Sequence, residues 1–227
     1  MSDGRISLGT FSVFTGISLL LVLRGKPNDA FVGLMVFLIA LLQLFEFGVW
    51  NNLDCGPGQS NHKATKGAYL LLWAMPALLC LGAATLGTDL VAEASSRNLL
   101  LGAGAMFFAL FLSLASLTYT DLSTWCSVPG NIWQPIWYFQ NEKVPMKLNP
   151  LWLVGVLLPI ILVDPFFLGA GTLVCLGGAY GVGLYSDPLG AGEWLSVTSL
   201  LANSVGVWAL LVPSIREFVL GPGLGEF

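Results

Sequence analysis

Apolar positions in this chain come in long runs, and charged positions fall in the gaps between them. Residues 31–45 and 99–115, for example, contain no charged side chain. A helix needs roughly 20 mainly apolar residues to cross the ~30 Å hydrocarbon core of a bilayer. By that rule the pattern predicts an all-α bundle of about seven transmembrane helices. The first four spans cover residues 6–23, 30–50, 66–86 and 98–117, with Pro76 as a kink inside the third. A long aromatic connection, residues 118–149, follows. The fifth run, 151–163, is short and carries Pro159; the sixth, 166–184, is glycine-rich; the seventh, 194–212, is closed by Pro213. Joined as one helix, the fifth and sixth would be ~50 Å long, too much for a single crossing. Proline disfavours helix at the residue before it. Asp164-Pro165 therefore reads as a tight hairpin, with a half-inserted pair as the alternative.

Composition points the same way. Of 227 residues, 56% are hydrophobic and only 10% are charged, against about 25% charged in a soluble domain. Mean hydropathy is +0.79. A soluble core built from these runs would leave too little polar surface, and no gap is long enough to hold a core of its own. Residues 1–227 read as a single integral membrane domain, multi-pass, with the bilayer as its first partner. Arg5 precedes the apolar run 11–23, but Arg24-Gly25-Lys26-Pro27 follows with no small-x-small cleavage site, so the run reads as a retained span. In a seven-span arrangement Arg5, Lys63, Lys66, Lys143 and Lys147 share one side and Arg24, Lys26, Arg97 and Arg216 the other. That split is too even for the positive-inside rule to orient the chain, and the membrane is not specified.

Charge excludes several functions. Net charge is -4 and the basic residues are scattered, so nucleic-acid binding has no electrostatic footprint and a polybasic lipid-recognition cluster is missing. The single histidine, His62, is placed in a loop beside Lys63. One histidine excludes bis-histidine haem ligation within the chain and a histidine-rich metal site, and no C-x-x-C exists for zinc. No lysine lies within a span interior, which leaves a retinal Schiff base unsupported, and neither G-x-S-x-G nor H-E-x-x-H occurs. No cofactor and no metal are expected, and the reading leans away from an enzyme.

The second span carries the sharpest chemical signal. Gln43, Glu46, Phe47 and Trp50 share one helix face. A carboxylate within a span is costly and usually faces the bundle interior, a partner or a water-filled cavity. One reading makes Glu46 a proton or cation site with Gln43 as its hydrogen-bond partner; the other makes it a structural polar contact about one turn from the span's end. Ser196, Ser199 and Asn203 form a second polar stripe in the seventh span, either bonding neighbouring helices or lining a solute path. Gly177 and Gly181 form a G-x-x-x-G step suited to close helix packing. The aromatic stretch 125–139 reads as an interfacial segment across the bundle mouth, or as a lid. Cys80 and Cys175 lie within spans as buried thiols, whereas Cys55 and Cys126 fall in loops on one side and can pair if that side is oxidising.

The run Gln43-Leu44-Phe45-Glu46-Phe47-Gly48-Val49-Trp50, followed by Cys55, Asn61 with Ala64-Thr65, Trp73 and Pro76, resembles an uncharacterised family of polytopic membrane proteins. Its members, in bacteria, algae and large viruses, carry a Q-x-x-E-x-x-x-W helix, a loop and an A-T helix start. The Cys126-Ser127 loop and the last span around Ser196 to Asn203 are similar too. The likeness covers the second and third spans well and the rest loosely. In the family the aromatic loop often carries a histidine before a tryptophan; here Gln134 and Trp137 occupy that region, so no histidine-dependent role is implied. The resemblance implies the multi-pass fold and points to Gln43, Glu46 and Trp50. It supplies no reaction.

Three functional expectations result. The first is a pathway or binding site for a proton, small cation or small polar solute, with Glu46 as ionisable ligand, Gln43, Ser199 and Asn203 as polar lining, and the aromatic loop shielding one mouth. The second is a non-catalytic accessory subunit, partnered by other membrane subunits or by copies of itself. The third, a lipid-modifying enzyme, would need Asp121, Asp164 and Glu46 to converge.

Overall fold

The computed structural model describes residues 4–25, 28–56, 58–87, 94–120, 125–129, 135–136, 150–163 and 207. Within them lie helices α1 (Gly4–Arg24), α2 (Asp29–Asn51), α3 (Ser60–Leu86), α4 (Ala94–Thr120) and α5 (Pro150–Val163), with a two-residue strand pair between α4 and α5. The first four are long and apolar enough to cross a membrane, and α5 is a shorter apolar helix. The predicted sixth and seventh spans, with Ser196, Ser199, Asn203, Cys175, Gly177 and Gly181, lie outside the described residues.

α1 and α2 form a hairpin around a tight turn in which Gly25 and Asn28 both adopt φ 65°. Three polar contacts bind them at successive depths in antiparallel order. At the turn, the Arg24 guanidinium donates to both Asp29 carboxylate oxygens, at 2.7 and 2.6 Å. The positions suit the charges: a cation ends one helix and an anion begins the next. Midway, Ser18 Oγ donates to the Gly33 carbonyl at 2.7 Å; a Cβ on Gly33 would fall 3.0 Å from the Ser18 carbonyl oxygen, so the helices meet here at backbone distance. At the open end, Ser7 of α1 reaches Glu46 of α2.

α3 is the hub, packing against α2, α4 and α5. It begins at Ser60, six residues before the predicted start at Lys66, so His62 sits in a helical turn and not in a loop. Twenty-seven residues rise ~40 Å, more than the hydrocarbon core needs, so a charged first turn can project beyond it. α4 likewise begins at Ala94, before the predicted Asn98, and continues to Thr120.

Two prolines set how α3 meets α5. Pro76 has no N–H to offer the Leu72 carbonyl four residues earlier, and Pro159 none to offer Gly155. In a bilayer such freed carbonyls must find partners within the protein. Each is met by the opposite helix: Trp152 Nε1 donates to the Leu72 carbonyl at 2.7 Å, and Cys80 Sγ donates to the Gly155 carbonyl at 3.6 Å. The order of contacts makes α5 run parallel to α3. Gly155 lets the helices close, since a Cβ there would lie 2.7 Å from Pro76 Cβ.

Trp152→Phe should cost about 1 kcal/mol, the scale of a hydrogen bond between membrane helices. In a Pro76→Ala background, where residue 76 regains an N–H for Leu72, the same change should cost about half as much. Unfolding of the four proteins in one detergent measures this, and equal costs in both backgrounds would contradict the coupling.

Candidate functional site

Polar side chains gather at the end of the bundle where α2 gives way to α3. The first group lies between α1 and α2. Glu46 is fully buried, as are Gln43 and Ser7. Ser7 Oγ donates to Glu46 Oε2 at 3.4 Å. The predicted stripe does share a face, and that face meets α1: a Cβ on Gly4 would fall 3.2 Å from Trp50 Cβ and 3.3 Å from the Phe47 ring. Trp50 is half-buried at the rim. Glu46 lies five residues before Asn51, about 7–8 Å of helix rise from the end of α2.

The second group lies on α3. Asn61, Thr65, Tyr69 and Trp73 are all buried, and their four-residue spacing sets them along one face. The segment Trp125–Ser127 sits on this stripe. Asn61 Nδ2 donates to the Ser127 carbonyl and Asn61 Oδ1 accepts the Ser127 N–H, both at 2.8 Å. Asn61 Nδ2 also donates to the Leu53 carbonyl at 3.4 Å, and Thr65 Oγ1 donates to Asn61 Oδ1 at 3.2 Å. All four hydrogen-bonding positions of the amide are thus occupied. The Thr65 proton being so used, the Ser127 hydroxyl donates to Thr65 Oγ1 at 2.9 Å. His62 Nδ1 lies 3.1 Å from both the backbone N and the carbonyl oxygen of Trp125. It can therefore accept from the one or, when protonated, donate to the other.

Trp125 fixes the other side of the strap. It is fully buried, stands edge-on to Tyr69 at 4.9 Å between ring centroids, and has Lys66 Nζ 5.8 Å from its ring centre. Within the segment read as lying across the bundle mouth, Trp125 is a core residue. Beyond it the chain pairs Val128 with Ile136 and Pro129 with Pro135 in an antiparallel ribbon. Gln134, Trp137 and the remaining loop aromatics lie outside the described residues. Cys55 and Cys126 form a disulfide, S–S 2.02 Å and Cα–Cα 5.8 Å, joining the α2–α3 connection to the strap.

Of the predicted site, Gln43 and Glu46 are buried together, Trp50 rims them, and Ser199 and Asn203 are outside the described residues. Periodicity alone missed Ser7 and the stripe on α3. The i, i+4 series Asn61, Thr65, Tyr69 and Trp73 was the available signal. Among the described residues no three His, Cys, Asp or Glu side chains converge as a metal site would require. Asp121 and Asp164 lie outside them. No protein-family model, no curated protein and no solved structure matches the chain.

Two predictions test the strap. Denatured without reductant, the four-cysteine chain should label at two thiols, Cys80 and Cys175, and at four after reduction; four labels without reductant would exclude the bridge. Asn61→Leu, which strips the Ser127 backbone of both partners, should cost about 2–3 kcal/mol in thermal or denaturant unfolding, whereas Ser127→Ala should cost about 1. Equal small effects would mean that the strap is not held by the amide.

Proposed function

We propose that the protein is a multi-pass membrane protein of about seven spans that binds and passes a proton or small cation, with Glu46 as the ionisable ligand. The observation that carries this reading is the complete burial of the Glu46 carboxyl group between two apolar helices, within reach of the Ser7 hydroxyl. A carboxyl group out of water is held either as the neutral acid or beside a cation, whether a side chain of the protein or a bound ion, because an uncompensated charge there is expensive. Gln43 on the same face and Ser7 on the facing helix supply neutral dipoles suited to either occupant. Trp50, half-buried, lies about one turn nearer than Glu46 to the end of α2. Ser199 and Asn203 of the last predicted span are proposed as further polar lining.

The Cys55–Cys126 bridge supports an orientation. Disulfides persist in oxidising compartments, so the end that holds Glu46, the strap and the α2–α3 connection is assigned to the non-cytosolic side. Glu46 would then be reached from that side, about one to two turns deep.

Reconstitution tests the reading. Vesicles containing the wild-type protein should carry protons or a monovalent cation down an imposed gradient faster than empty vesicles. Glu46→Gln, which keeps the shape and removes the ionisable group, should lower that flux at least about tenfold, a loss of about 1.4 kcal/mol. Ser7→Ala should lower it less. Equal flux through wild type and Glu46→Gln would overturn the assignment, and wild-type flux no greater than that of empty vesicles would favour the accessory-subunit reading.

A further inference from the structure

The outer face of the α2–α3 pair carries a groove that neither polar group uses. Leu44, Phe45 and Gly48 of α2 and Ser60, Lys63 and Ala64 of α3 line about 380 Å³ of open space, within the ~300–1,000 Å³ range of small-molecule sites. The helix crossing gives it depth. Gly48 has no side chain to fill it, and a Cβ there would fall 3.0 Å from Ala64 Cβ. Ser60 Oγ donates to the Gly48 carbonyl at 2.8 Å and holds the crossing in place.

The groove changes character along the membrane normal. Ser60 and Lys63 belong to the first turn of α3, at the end of the bundle. Leu44 lies seven residues before the last residue of α2, about 10 Å deeper. Lys63 is exposed, and its ammonium forms no ion pair among the described residues. One end is therefore a cation at headgroup depth, and the other is apolar and at hydrocarbon depth. The positive N-terminal end of α3 adds to the same sign.

We propose that this groove is a binding site for one anionic phospholipid, its phosphate paired with Lys63 and an acyl chain laid along Leu44 and Phe45. A soluble anion would leave the apolar half unused, and a neutral lipid would leave the ammonium unmatched. The proposal is independent of the role assigned to Glu46.

Native mass spectrometry of the purified full chain in neutral detergent tests it, with dioleoyl phosphatidylglycerol and dioleoyl phosphatidylcholine as probes. One phosphatidylglycerol per chain should be retained about fivefold better than phosphatidylcholine, the factor expected of one basic side chain facing an anionic headgroup. Lys63→Gln should abolish the preference. Leu44→Trp, which fills the apolar end, should abolish retention at this site. Arg97→Gln, an exposed charge at the opposite end of the bundle, should change neither. The two-thiol count confirms that each variant is folded with its bridge intact. Three results would each overturn the proposal: no preference in the wild type (as when other parts of this chain cover the groove), a preference that survives Lys63→Gln, or displacement of the lipid by glycerol phosphate.

Discussion

A polar atom inside a bilayer finds no water, so another part of the protein must meet it. That constraint decides where these helices touch. Pro76 and Pro159 each free a carbonyl, and each freed carbonyl becomes the point at which α3 and α5 lock, through Trp152 and Cys80. The Ser18 hydroxyl meets the Gly33 carbonyl where α1 and α2 come within backbone distance. Single bonds of this kind contribute only about 0.6 kcal/mol on average. The penalty for leaving the atom unmet is several times larger. They therefore act mainly by excluding wrong registers, while side-chain packing supplies the bulk of the stability.

The same constraint explains why the strap is so thoroughly bonded. A backbone segment entering the bundle end brings N–H and C=O groups that cannot be left bare. Asn61 presents a donor and an acceptor in the geometry of a peptide group, and Ser127 presents the complementary pair. The amide orientation is fixed by this pairing, since reversing it would place like against like at both contacts. Trp125 then fills the apolar space beside Tyr69, and the disulfide limits how far the strap can move from α3.

The parts legible in the sequence were those set by length and composition. α1 and α2 match their predicted spans to within two residues at each end, because a run of apolar side chains ended by charges leaves few alternatives. α3 begins six residues before its predicted start at Lys66, because the span rule marks the apolar run, while backbone hydrogen bonding carries a helix past the hydrocarbon edge regardless of side chain. The polar stripe of α2 was legible as a stripe; that it faces α1 was not, since periodicity gives a face and never its neighbour. The exchange of carbonyl partners between α3 and α5 was invisible for the same reason. Both prolines and both donors stand in the sequence, but only the packing pairs them.

Two buried carboxyl groups in one hairpin show how differently this fold treats charge. Asp29 is clamped by the Arg24 guanidinium through two short bonds, a fixed pair that suits a structural turn. Glu46 is met from α1 by a hydroxyl at 3.4 Å, a long contact beside the 2.5–2.7 Å expected of a strong O–H···O⁻ bond. A guanidinium can only donate. A hydroxyl can donate to a carboxylate or accept from a carboxylic acid after rotating its own proton. The Ser7 contact is therefore compatible with either protonation state of Glu46. Ser7 on the facing helix and Gln43 on the same face of α2 thus bring to Glu46 neutral groups that suit either protonation state, as the proposed proton or cation site requires.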